Sequence, residues 1–93
     1  MNILEQIAIS IIKEQERIIG PLSWIEAAKV SGLKIVSQNP KHITIENNAK
    51  DVINDLVAQY ERLFGKISHD ICKEAAHELI SQLSQDDIPS SLK

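Results

Sequence analysis

The clearest alternation of hydrophobic and polar positions lies between Asn48 and Phe64. Apolar residues recur there at steps of three and four, which is the period of one helix face. Asn48 can accept hydrogen bonds from the first free backbone amides, and Gly65 is a typical helix end. The pattern predicts an amphipathic helix that covers a small core. Its apolar face comprises Val52, Ile53, Leu56, Val57, Tyr60, Leu63 and Phe64.

A second helical pattern runs from Ile3 to Ile19 and has a wider apolar surface. Asn2 can cap its start, and Gly20 and Pro21 stop it. Its apolar residues cover about half of the circumference, whereas a stripe of about 100° is enough to face one core. Either the rest of the chain encloses this helix, or one flank packs on the core and the other on a second subunit. The second interpretation assigns the interface to Ile3, Ile7, Ile11 and Ile18.

A short helix is predicted after Pro21. Ser23 and Glu26 have the spacing of a capping box, in which each side chain bonds the backbone amide of the other residue. The helix is expected to run to about Ser31 and to stop at Gly32. Its predicted inner face comprises Trp24, Ala27 and Ala28.

From residue 33 the hydrophobic period becomes that of a strand. Segments 33–37 and 42–46 are rich in β-branched residues, and residues 38–41 between them have turn composition. They predict an antiparallel hairpin, which is marginal in water alone and must pack on helices. Its edges could also pair with a second subunit. The residues predicted to face inward are Leu33, Ile35, Ile43 and Ile45, and those predicted to face outward are His42, Thr44 and Glu46.

The last helix is predicted to begin at Ser68 and to end near Leu83. Residues 85–93 lose the pattern and predict a flexible polar tail after a single compact domain of residues 1–84. The expected fold is therefore α+β in the order α-α-β-β-α-α, with a two-stranded antiparallel hairpin packed on helices. The apolar side of the last helix comprises Ile71, Cys72, Ala75, Ala76, Leu79, Ile80 and Leu83.

Composition narrows the choice of function. The 93 residues carry a net charge of −3 and no cluster of basic side chains, which disfavours nonspecific binding to nucleic acid. No apolar run reaches the roughly 18 residues of a membrane span. Cys72 is the single cysteine, so an internal disulfide is impossible, which favours a reducing compartment and a cytoplasmic location.

Residues 25–33 (IEAAKVSGL) resemble the first helix and turn of a helix-turn-helix DNA-binding unit. Ala28 and Gly32 have the spacing of the small residue and the turn glycine in that unit. The resemblance covers nine residues and implies DNA binding, but a recognition helix should follow directly. The chain instead continues with β-branched residues and Pro40. DNA binding through residues 23–33 is therefore the alternative hypothesis.

Side chains with catalytic or metal-binding potential form no convincing constellation. His69 and Cys72 are three residues apart and could reach one ion, but two further ligands would be needed. Asp70, Glu74 and His77 are neighbours at helical spacing, which is common on a solvated face. We predict no catalytic, cofactor-binding or metal-binding residues.

The leading hypothesis is a small non-enzymatic interaction or regulatory domain. We expect it to act as a homo-oligomer, a dimer in the simplest case, and to dock a protein partner. After the DNA-binding regulator, a third hypothesis is a small-ligand pocket between hairpin and helices near Trp24 and Tyr60.

Overall fold

Helices dominate the architecture. A computed structural model describes residues 2–38 and 41–93, with the side chains of residues 38 and 41 left out. The described residues form four α-helices and one antiparallel strand pair, and the predicted α+β fold and α-α-β-β-α-α order are confirmed. The elements are α1 (Ile3–Ile19), α2 (Leu22–Ala27), β1 (Leu33–Gln38), β2 (Lys41–Ile45), α3 (Ala49–Phe64) and α4 (Lys66–Ile80), followed by 3-10 helices at Gln85–Asp87 and Ser90–Leu92.

The predicted caps of α1 and α3 are confirmed. Asn2 Oδ1 accepts from the Glu5 amide at 2.8 Å, and Glu5 Oε1 accepts from the Asn2 amide at 3.1 Å. Asn48 Oδ1 accepts from the amides of Lys50 and Asp51 at 3.0 and 3.2 Å. These bonds satisfy amide donors that the first turn of a helix leaves free, so the start of each helix is fixed locally.

The predicted capping box of α2 is wrong. The helix begins after Pro21, and no side chain caps it. Ser23 lies within the helix, where its hydroxyl donates to the Ile12 carbonyl of α1 at 2.8 Å. A buried hydroxyl needs a partner, and the adjacent helix supplies one. Ala28, which was predicted to face inward, is exposed.

The predicted start of α4 is also wrong. The helix begins directly after Gly65, and Ser68 is buried in its first turn. The Ser68 carbonyl accepts from Gln15 Nε2 of α1 at 3.0 Å, and the Cys72 sulfur lies 3.4 Å from the same nitrogen. This buried amide therefore holds the last turns of α1 against the first turns of α4.

The core lies where α1 packs chiefly on α4, with α2, α3 and one face of the hairpin around it. Leu33 pairs with Ile45 and Ile35 with Ile43, so these four side chains share the inward face as predicted. The pairing shifts between Ile35 and Ser37. The predicted turn residues Asn39 and Pro40 lie outside the described residues.

The C-terminal segment (residues 85–93) differs from the predicted flexible tail. Its second 3-10 helix lies against α3 and α4. Pro89 is fully buried, and Leu92 is only 4% exposed. Two apolar residues among polar ones carry no period, which explains why the pattern gave no sign of this packing.

Candidate docking groove between helices 1 and 4

An open groove of about 820 Å³ runs between α1 and α4. Its floor on α4 is an apolar stripe at four-residue steps, formed by Ile71, Ala75 and Leu79. Because a four-residue step returns to one side of a helix, these side chains form a continuous line. On α1 the groove is lined by Ile9 and by Ile18, which is 61% exposed.

Charges of both signs flank this apolar floor. Lys13 and Glu14 stand on the α1 wall, where Glu14 pairs with Arg17 at 3.4 Å, and Glu74 and Glu78 stand on the α4 wall. Within residues 2–38 and 41–93, no ion pair joins Lys13 to either glutamate of α4. The groove thus offers a lysine and two carboxylates whose charges are free to meet a partner.

The predicted interface residues of α1 are divided by the fold. Ile7 and Ile11 are 0% exposed and belong to the core, so neither can contact a second chain. Their assignment to the interface is therefore wrong. Ile3 is half-buried and packs against the core. Of these four isoleucines, only Ile18 presents a large apolar surface to solvent.

The groove itself was not predicted. On a helical wheel Ile9 falls outside the apolar arc of α1, among charged residues, and it lines the groove. The stripe on α4 was assigned to the core side of that helix as one block, although the buried residues of the block are Cys72 and Ala76. The signal in the sequence is the four-residue repeat that starts at Ile67, a residue 74% exposed.

The predicted ligand pocket near Trp24 and Tyr60 is not formed, because both rings are used in the core. Trp24 is 2% exposed and Tyr60 is 0% exposed. The Tyr60 hydroxyl donates to the Ser23 carbonyl at 2.8 Å, and burial raises its pKa well above the ordinary range. The two rings therefore join α2 to α3 and leave no stacking face for a ligand.

His69 and Cys72 do not converge on one site. Burial raises the pKa of the Cys72 thiol to about 11, opposed by the hydrogen bond from Gln15. His69 has Glu61 Oε1 3.0 Å from Nδ1 and the Ser91 carbonyl 2.7 Å from Nε2. Among the described residues, no three His, Cys, Asp or Glu side chains are placed to hold a metal ion.

The helix-turn-helix resemblance ends where the structure places a strand. After α2 the chain turns at Gly32, which has a φ of +87°, and enters β1 directly. Glu26, which lies in this segment, bonds Lys29 at 3.0 Å and Gln59 of α3 at 2.7 Å. The Lys29 bond, followed by the Gln59 bond, holds the pKa of the Glu26 carboxyl below its ordinary value. The segment is thus fastened to α3.

Comparison with models of protein families, with curated proteins and with solved structures found no match to this chain. The described helices include none with both the length and the apolar character required to cross a membrane.

Proposed function

We propose that this protein is a non-enzymatic interaction domain that forms a homodimer by packing its α1–α4 groove against the same groove of a second copy. The observation that carries the proposal is the apolar floor with the unpaired Lys13 on one wall and the unpaired Glu74 and Glu78 on the other. An isologous contact uses one patch twice, so the patch must complement itself. A lysine on one wall and two glutamates on the other meet that requirement.

The direction of the two helices favours a two-fold axis that runs along the groove. Gln15, near the end of α1, contacts Ser68 and Cys72, near the start of α4, so the helices are antiparallel. A rotation about the groove axis keeps each residue at its level and lays α1 of one copy over α4 of the other. Lys13 of each copy then lies near the level of Glu74 of its partner, and the exposed Ile18 lies near the level of Ile67, where the α4 stripe begins.

The dimer is proposed to form from two folded monomers. The exposed surface of one chain is 5331 Å², close to the about 5400 Å² expected for a folded monomer of its mass. An interface of ordinary size covers about 800 Å² on each partner, which a groove between two four-turn helices can supply. We therefore expect a dimer that dissociates on dilution. Its two-copy surface would dock the further protein partner.

Light scattering over a wide concentration range tests this proposal. We expect the wild-type mass to rise from monomer to dimer, and Ile18→Glu to remain monomeric with an unchanged circular dichroism spectrum. Ile25→Glu is the matched control, because Ile25 is 55% exposed and lies outside the groove. A wild-type chain that stays monomeric at every concentration refutes the proposal, as does equal weakening by both variants.

Charge exchange tests the orientation of the two copies. Lys13→Glu should weaken dimerisation, because it faces Glu74 of the second copy with another carboxylate. Adding Glu74→Lys to the same chain should restore it. Recovery in the double variant supports the two-fold arrangement, and additive weakening contradicts it.

A cytoplasmic location is part of the proposal. Cys72 is buried as a free thiol, and a chain that is stable without a disulfide suits a reducing compartment.

A further inference from the structure

The C-terminal segment lies on the rest of the molecule as a short bound peptide would. Residues Ser90–Leu92 form a single 3-10 turn against α3 and α4. The surface beside Leu92 adjoins the α1–α4 groove, because Glu74 and His77 line both. Pro89 and Leu92, three residues apart, are its two buried anchors. The connecting residues Gln85, Asp86 and Asp87 are exposed. The segment is therefore buried at its far end, whereas nearer its start Lys50 Nζ of α3 donates to the Asp86 carbonyl at 2.7 Å.

Side chains of α3 and α4 form hydrogen bonds with Ser91, which lies between the two anchors. Asn54 Oδ1 of α3 accepts from the Ser91 amide at 3.0 Å and from the Ser91 hydroxyl at 2.7 Å. His69 Nε2 of α4 lies 2.7 Å from the Ser91 carbonyl, which can only accept, so the ring nitrogen donates. Glu61 Oε1, 3.0 Å from His69 Nδ1, orients the ring.

This combination is the chemistry of a peptide-recognition site. Main-chain groups bonded by fixed side chains supply affinity for any short segment, and apolar anchors supply the choice of sequence. We propose that the surface of α3 and α4 that carries Asn54 and His69 and buries Pro89 and Leu92 is a binding site for segments carrying proline and leucine three residues apart. Residues 89–92 occupy it as an intramolecular ligand, and a Pro-x-x-Leu segment of a partner protein replaces them.

The tethered segment sets how strongly an added peptide can compete. A short flexible connection gives an effective concentration of about 1 mM. A free peptide with a Kd below about 100 µM would therefore bind the intact chain about tenfold or more weakly than a chain whose segment has left the site. We therefore expect an added peptide to bind strongly only after removal of an anchor has released residues 89–92 from the site.

The experiment uses the full chain and a fluorescein-labelled peptide of residues 85–93 (QDDIPSSLK). Leu92→Asp in the protein replaces a buried anchor with a charge and should release the segment. Fluorescence anisotropy should then show saturable binding, at least about tenfold tighter than to the wild-type chain. The matched control is the same peptide with Leu92→Asp, which should not bind. Asn54→Ala in the Leu92→Asp protein should weaken binding, because both bonds to Ser91 are lost.

Circular dichroism first establishes that the Leu92→Asp protein is folded. If it is unfolded, Leu92→Ala replaces it in the same assay, since this change shortens the anchor without adding charge. A folded variant that shows no saturable binding of the wild-type peptide up to about 1 mM overturns the proposal. Equal binding of wild-type and Leu92→Asp peptides also overturns it. Dimerisation is tested separately, by light scattering of the wild-type chain.

Discussion

Replacing Gly32 with alanine should destabilise this protein by an amount that its surroundings allow us to work out. Gly32 has a φ of +87°, which side chains of L-residues rarely adopt. Its carbonyl accepts from the Glu46 amide at 2.6 Å, where the end of β2 approaches the turn. A Cβ atom there would lie 2.8 Å from Val52 Cγ2 of α3 and 2.9 Å from the Glu46 carbonyl oxygen.

Two costs therefore add at this position. Positive φ costs a residue with a side chain about 1–3 kcal/mol. Overpacking against a side chain and a backbone oxygen typically costs a further ~1–3 kcal/mol. Gly65 separates the two costs, because it has a φ of +90° and no atom within 4 Å of a built Cβ. Gly65→Ala should thus show the backbone cost alone.

The assay is urea unfolding of both variants, followed by the fluorescence of the buried Trp24. We expect Gly32→Ala to lose about 1–3 kcal/mol more than Gly65→Ala, with a melting temperature lower by at least about 4 °C. Equal losses would refute the reasoning, since they would mean that the turn does not lie tightly against α3.

Two further predictions concern the buried contact between α1 and α4. Because burial raises the pKa of Cys72 from 9.0 to about 11, the unfolded chain ionises first. The free energy of unfolding should therefore fall by up to about 3 kcal/mol between pH 9 and 11. In urea unfolding, Cys72→Ala should make the free energy of unfolding depend less steeply on pH in this range. An unchanged dependence would contradict the assignment of this effect to Cys72. Gln15→Met should change stability by less than about 1 kcal/mol, because Gln15 Oε1 has no partner among the described residues. Gln15→Ala should cost at least about 2 kcal/mol through the cavity, and similar losses in both variants would argue against this account.

Sequence reasoning worked where the determinant is local. Asn2 and Asn48 each bond amides within three residues, so the starts of α1 and α3 could be read from spacing alone. It failed where a distant partner competes. The Ser68 carbonyl meets Gln15, 53 residues away, and no pattern within α4 shows this. The capping box predicted for Ser23 does not form for the same reason, because its hydroxyl bonds the Ile12 carbonyl of α1 instead.

The candidate sites were only partly predictable. A helical wheel showed that the apolar surface of α1 is wider than the stripe that faces one core, but it gave no means to separate Ile11, which is buried, from Ile18, which is exposed. The segment that carries Pro89 and Leu92 has no repeating pattern, because its two anchors contact other elements once. Such contacts become visible only when the whole chain is folded.

The packing of α1 on α4 also has a consequence for synthesis. The ribosome makes α1 first, but α4 begins at residue 66, and the chain grows at about 5–20 residues per second. The isoleucine-rich face of α1 is therefore synthesised a few seconds before α4, whereas chain collapse takes microseconds. During that time the apolar side chains of α1 that α4 later covers are accessible to chaperones and proteases.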